Sequence, residues 1–170
     1  MNKVDPTDGA VIIALGSNLP GDYSSPRKLL EAAIDRLAPA GLRVISRSRI
    51  WRSAAWPDPT QPEYLNVVTL VETALSPSRI LHTLHSIEAD FGRVRGAPNE
   101  ARPLDLDLIA AGRRVTQEGG MIIPHPRAHE RLFVMGPLAE IAPDWVHPVL
   151  GRTAVDLAAD AGVGRDARAS

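Results

Sequence analysis

The stretch Leu104-Asp105-Leu106-Asp107-Leu108-Ile109-Ala110 constrains the fold more than any other part of the chain. In a β-strand, residues two apart share a face, so Asp105 and Asp107 stand side by side. Leu104, Leu106, Leu108 and Ala110 turn to the opposite, core-facing side. Strands disfavour aspartate, and like charges on one face repel. A cation between the carboxylates removes the conflict. Hard oxygen ligands suit Mg²⁺, which proteins hold through one or two carboxylates plus substrate phosphates. The plainer reading is a solvated edge strand, whose open face also carries charge. Spacing alone does not choose between the two.

The length of 170 residues fits one domain with a substantial core. A net charge of -1, from 19 basic and 20 acidic residues, argues against bulk attraction to nucleic acid or membrane. The absence of cysteine excludes disulfides, thiolate zinc sites and thiol catalysis. The early apolar run Ala10 to Leu15 is too short for a signal-peptide core or a spanning helix, so a cytoplasmic protein is expected.

Residues 1–9 read as a flexible tail, 10–161 as a single domain and 162–170 as a frayed C-terminal tail. Ala10 to Leu15 is a strand buried on both faces. The turn Gly16 to Gly21 lacks the Gly-x-x-x-x-Gly-Lys spacing of a phosphate cradle. Ser25-Pro26 and Ser76-Pro77 each combine an N-cap with Pro in the first turn. Each starts a helix, the first with the stripe Leu29, Leu30, Ala33, Ile34, Leu37 and the second with Ile80, Leu84, Ile87, Phe91. Leu42 to Trp51 reads as a second strand of imperfect alternation and Tyr64 to Thr73 as a third. A short strand is expected over Met121 to Ile123, with helices over Leu132 to Ile141 and Thr153 to Ala161. The order β-α-β-β-α-β predicts an α+β fold: a ferredoxin-like antiparallel sheet with helices packed on it and a C-terminal extension. His82 and His85 lack the His-Glu-x-x-His pattern and read as ordinary helix residues.

Five stretches in order, ALGSNLPGD (Ala14 to Asp22), QPEYLNVV (Gln61 to Val68), IEADFGRVRG (Ile87 to Gly96), ARPLDLDLI (Ala101 to Ile109) and PHPRAHERLFVMGPLAEIAPDWVHP (Pro124 to Pro148), carry a resemblance. Together they are similar to the 6-hydroxymethyl-7,8-dihydropterin pyrophosphokinase family of the folate pathway. The resemblance implies transfer of pyrophosphate from ATP to the pterin hydroxymethyl group, with release of AMP. It implies two Mg²⁺ ions on Asp105 and Asp107, with Asp105 also near the pterin. Arg93, Arg95, Arg102, Arg131, His125, Glu88 and Leu108 would surround ATP, Arg93 and Arg102 acting in catalysis. Guanidinium forks match phosphate oxygens, which makes such an arginine shell physically sensible. Tyr64, Asn66 and Phe133, with groups near Ser53, Ala54 and Trp56, would hold the pterin. Flat rings favour stacking on aromatic faces, and Asn66 offers donor and acceptor together. Neither nucleic acid nor membrane is an expected partner, and the chain is expected to be a monomer.

Unlike many members, this chain has no aromatic between Gly96 and Arg102, carries Pro126 after His125, and has Ala54-Ala55 where prolines are common. These differences imply altered affinity and loop motion. The loops Arg52 to Pro62 and Gly92 to Ala101 are expected to close over the substrates. The competing readings are an Asp-x-Asp nucleotide-sugar transferase, a non-catalytic ferredoxin-like binding module and a pseudoenzyme. The first needs a longer α/β chain, the second a basic surface with exposed aromatics. The third leaves the aspartate pair without a purpose.

Overall fold

The computed structural model describes residues 9–55, 58–92 and 103–170. Along the chain run β1 (Val11–Ser17), α1 (Pro26–Asp35), β2 (Arg43–Arg47), β3 (Trp51–Ser53), β4 (Tyr64–Glu72), α2 (Pro77–Asp90), β5 (Asp105–Ala111), α3 (Leu132–Ile141), α4 (Ala154–Asp160) and β6 (Arg168–Ala169). The sheet order is β5-β1-β4-β3-β6, with β2 also on β4. Every pairing between these strands is antiparallel. The protein is thus α+β, with an antiparallel sheet and, among the described residues, four α-helices.

Local chemistry explains the elements. Ser25 and Ser76 cap α1 and α2 by accepting the N–H of Lys28 and Arg79, and Pro occupies the first turn of each helix. Their apolar stripes, including Leu29, Leu30, Leu84 and Ile87, bury against Ile13, Leu15, Leu104, Leu106 and Leu108 on one side of the sheet. Helices α3 and α4 cover the other side, where Met135, Leu138 and Leu157 meet Ile12, Val68, Leu70 and Ile109. Strand β1 serves both layers, and Ile12 and Ile13 are both fully buried.

Four details depart from the sequence reading. The register of β5 on β1 shifts between Ile12 and Ile13, so Ile109 is an extra residue. Beyond this bulge Ala110 joins the α3–α4 layer and not the leucines opposite. The expected second strand is split, with β2 facing the far end of β4 and β3 facing Tyr64–Asn66. Between the halves, the Ser48 hydroxyl accepts the Val68 N–H at 3.0 Å, a side chain standing in the ladder. In place of a strand over Met121 to Ile123 there is a single bridge between Thr116 and Ile123. Within residues 162–170, expected as a tail, β6 pairs with β3, and the Ser170 N–H donates to the Ile50 carbonyl at 2.8 Å.

Candidate active site

Cross-strand register brings the expected residues onto one face. Asp105 lies opposite Gly16, Gly16 opposite Asn66, and Asn66 opposite Trp51. Asp107 lies opposite Ala14, and Ser53 opposite Tyr64. The small residues of β1 keep the floor low between the acidic pair and Asn66. A Cβ on Gly16 would sit 3.5 Å from Asn66 Oδ1. Asn66 is oriented from the far side, its Nδ2 donating to the buried Ser53 hydroxyl at 3.0 Å. Above this floor, α3 carries Phe133 and, one turn on, Gly136. A Cβ at Gly136 would lie 2.5 Å from the Trp51 ring, so glycine allows helix and indole to touch.

Along the outer edge of β5 runs a groove of about 540 Å³, lined by Glu88, Asp105, Asp107, His125 and Arg131 among others. Strand β5 ends the sheet, so some of its N–H groups face away from any neighbouring strand. Glu88, only 1% exposed, supplies the missing acceptor for Leu106: Oε2 receives its N–H at 3.1 Å. Leu108 is a core residue that lines the groove from below. His125 is tied to β5 through its N–H on the Ile109 carbonyl at 2.8 Å. Its Nδ1 accepts the Arg127 N–H at 3.2 Å, which leaves the ring proton on Nε2. Burial lowers its pKa from 6.5 to about 4, helped by the cations of Arg131 and Arg127 and opposed by Asp105. At neutral pH this imidazole is an uncharged donor. The Arg131 guanidinium carbon stands 5.9 Å from the Phe133 ring centroid, next to both halves of the site.

Two carboxylates at i and i+2, flanked by alanine and glycine on the neighbouring strand, form an oxygen-only donor set with room above it. That set fits a hard divalent cation completed by water and phosphate oxygens. Among the described residues no group of three or more metal-ligating side chains occurs.

Arg93, Arg95, Arg102 and Trp56 lie outside the described residues. The Ala54 N–H, expected near the pterin, is already engaged by Asp166 Oδ2 at 2.6 Å. Sequence reasoning missed Gly16 and Trp51, whose place follows only from strand pairing. It also missed Leu81 and His85, which line the groove. Helical spacing back from Glu88 carried that signal, since residues three and seven positions earlier share its face.

An acidic pair on an antiparallel sheet, next to a neutral imidazole and a guanidinium, defines an α+β protein equipped for phosphate-bearing ligands. A family model described as 7,8-dihydro-6-hydroxymethylpterin-pyrophosphokinase matches residues 12–143, and the chain belongs to that family. It is 43% identical over 164 residues to a 2-amino-4-hydroxy-6-hydroxymethyldihydropteridine pyrophosphokinase of Synechocystis sp., covering 92% of this chain and 81% of that one. A protein of the same name from Haemophilus influenzae is 39% identical over 137 residues, covering 80% of this chain and 83% of its own length. In fold, the chain is similar to the crystal structure of Plasmodium falciparum HPPK-DHPS, with a TM-score of 0.69 at 11% identity. That match covers 94% of this chain and 48% of the longer one.

Proposed function

We propose that this chain transfers pyrophosphate from ATP to the hydroxymethyl oxygen of 6-hydroxymethyl-7,8-dihydropterin, releasing AMP, as a step of folate biosynthesis. The observation that carries the reading is the pairing of Asp105 and Asp107 on an open sheet face in a chain of this family. Neither a nucleotide-sugar transferase nor a binding module is favoured beside that membership. The architecture is read as a ferredoxin-like core of β1, α1, β2–β3, β4, α2 and β5, with α3, α4 and β6 as its C-terminal extension. The strand order β5-β1-β4-β2/β3 supports it.

Asp105 and Asp107 are assigned to hold two Mg²⁺ ions, which, when bound, would offset triphosphate charge and polarise the β-phosphorus. Arg131 and the Nε2–H of neutral His125 bind phosphate oxygens from the groove side. Glu88 and Leu108 line the nucleotide's path, and Arg93, Arg95 and Arg102 complete the shell. Asn66 reads the amide-like edge of the pterin, with Ser53, Ala54 and Trp56 at its rim. Tyr64 and Phe133 supply aromatic surface, and Asp105 lies close to the hydroxymethyl group. Fixing both substrates in line removes much of the entropic part of the barrier. No helix among the described residues is long and apolar enough to cross a membrane. We assign the protein as a cytoplasmic monomer.

The test is AMP release from MgATP with and without the pterin, in the wild type and in Asp105→Asn. Pterin-dependent AMP that disappears in the variant is expected. AMP formed regardless of pterin would overturn the substrate assignment, and undiminished activity in Asp105→Asn would overturn the metal assignment.

A further inference from the structure

The C-terminal segment 163–170 touches both sides of the proposed pterin site, and the mechanism above leaves it without a role. At its start it is stitched to the N-terminus of α3. The Val163 N–H donates to the Glu130 carbonyl and the Leu132 N–H to the Val163 carbonyl, each at 2.9 Å. Gly164 follows with φ of +70°, and a Cβ there would lie 2.6 Å from Phe133 Cδ1 and 3.1 Å from Cε1. Glycine is therefore required twice over, by the left-handed backbone and by the close approach of the ring. Two residues on, Asp166 Oδ2 accepts the Ala54 N–H at 2.6 Å. The segment then buries Ala167 and closes as β6 on β3, at Trp51 and Arg52.

We propose that 163–170 is a positioning element for the pterin, with Gly164 seating the Phe133 ring and Asp166 fixing the backbone at Ala54. The proposal rests on the pterin assignment given above. Phe133 comes from a helix on one side of the sheet and Ala54 from the end of β3, and no other described element bonds to the chain beside both. Without the strap each would sample positions that binding must then restrict, and that ordering cost appears as lost affinity. Neither Gly164 nor Asp166 needs to touch the substrates. The effect should fall on pterin affinity and spare the nucleotide, whose groove lies along β5.

Calorimetric titration of the full chain with 6-hydroxymethylpterin, and separately with a non-hydrolysable ATP analogue plus Mg²⁺, tests this. Gly164→Ala and Asp166→Ala are expected to weaken pterin binding by about tenfold and nucleotide binding by less than about twofold. Asp166→Asn, which keeps an acceptor oxygen, should recover most of the loss. Gly162→Ala, with open space around its Cβ, should match the wild type. Equal weakening of both ligands, or unchanged pterin binding in Asp166→Ala, would overturn the proposal. Asp166→Ala decides the matter alone if Gly164→Ala does not fold. Wild-type protein that binds nucleotide but no pterin would instead remove the pterin assignment, and the strap's role with it.

Discussion

At the scale of single residues, Glu88 is the informative case. The resemblance implies a place for it beside ATP. Burial to 1% exposure and a hydrogen bond from the Leu106 N–H add a structural role that the resemblance does not contain. Leu106 lies between the two aspartates, so its peptide plane helps set how both carboxylates are presented. Which N–H groups of β5 face away from β1 depends on pairing, and the residues alone do not reveal it. Removing the anchor should loosen the acidic pair much as outer partners of metal ligands do, by about tenfold in metal affinity. Mn²⁺ titration followed by electron paramagnetic resonance, with a non-hydrolysable ATP analogue, should show this loss in Glu88→Ala. Glu88→Gln, still able to accept the N–H, should stay within about twofold of the wild type. A glutamine variant as impaired as the alanine one would show that charge matters and not the anchor.

At the scale of elements, most of the chain was legible because each signal was local. Ser-Pro starts, apolar stripes at helical spacing and the i, i+2 aspartates depend on neighbours in sequence, and the structure places α1, α2, α3 and β5 accordingly. What was illegible depends on partners far along the chain. The bulge at Ile109 follows from register on β1, the break at Ser48 from its hydroxyl entering the β4 ladder, and β6 from an edge that only the assembled sheet presents. The contact of α3 with β3 is of the same kind. Gly136 looks like a flaw in a helix, costing about 1 kcal/mol relative to alanine by propensity. In the fold it admits the Trp51 indole, whose ring atoms would lie 2.5 and 2.6 Å from a Cβ. Gly136→Ala should therefore destabilise the protein by about 1–3 kcal/mol despite its better helix propensity. Urea unfolding measures the loss, and a shift in tryptophan emission should accompany it. A variant more stable than the wild type would mean that the ring has room to move.

At the scale of the whole molecule, two layers of different chemistry share one sheet. The α1–α2 side is apolar packing, whereas the α3–α4 side brings arginines and histidines against half-buried positions. That second layer makes the fold sensitive to acid. Burial and the cations of Arg131 and Arg127 hold His125 at about 4. Burial, with His129 next to it, also lowers His147, whose Nδ1 accepts the N–H groups of Val149 and Leu150 at 3.2 and 3.1 Å. Both rings are neutral in the folded state and protonate more readily once the chain unfolds. Between the ordinary value of 6.5 and the lower folded values, the unfolded state therefore binds more protons, and stability rises with pH. Stability should level off above about pH 7 and fall as pH drops below 6.5, with the share due to His125 lost by about pH 4. Urea unfolding at stepped pH measures the slope, and NMR titration assigns it, with the His125 ring expected to titrate near 4. His147→Asn keeps an acceptor for the two N–H groups but cannot protonate in this range, so it should flatten the slope in part. His125→Asn should remove a further share. Stability that does not change between pH 7 and 4.5, or imidazoles that titrate at 6.5, would show that the second layer is open to water.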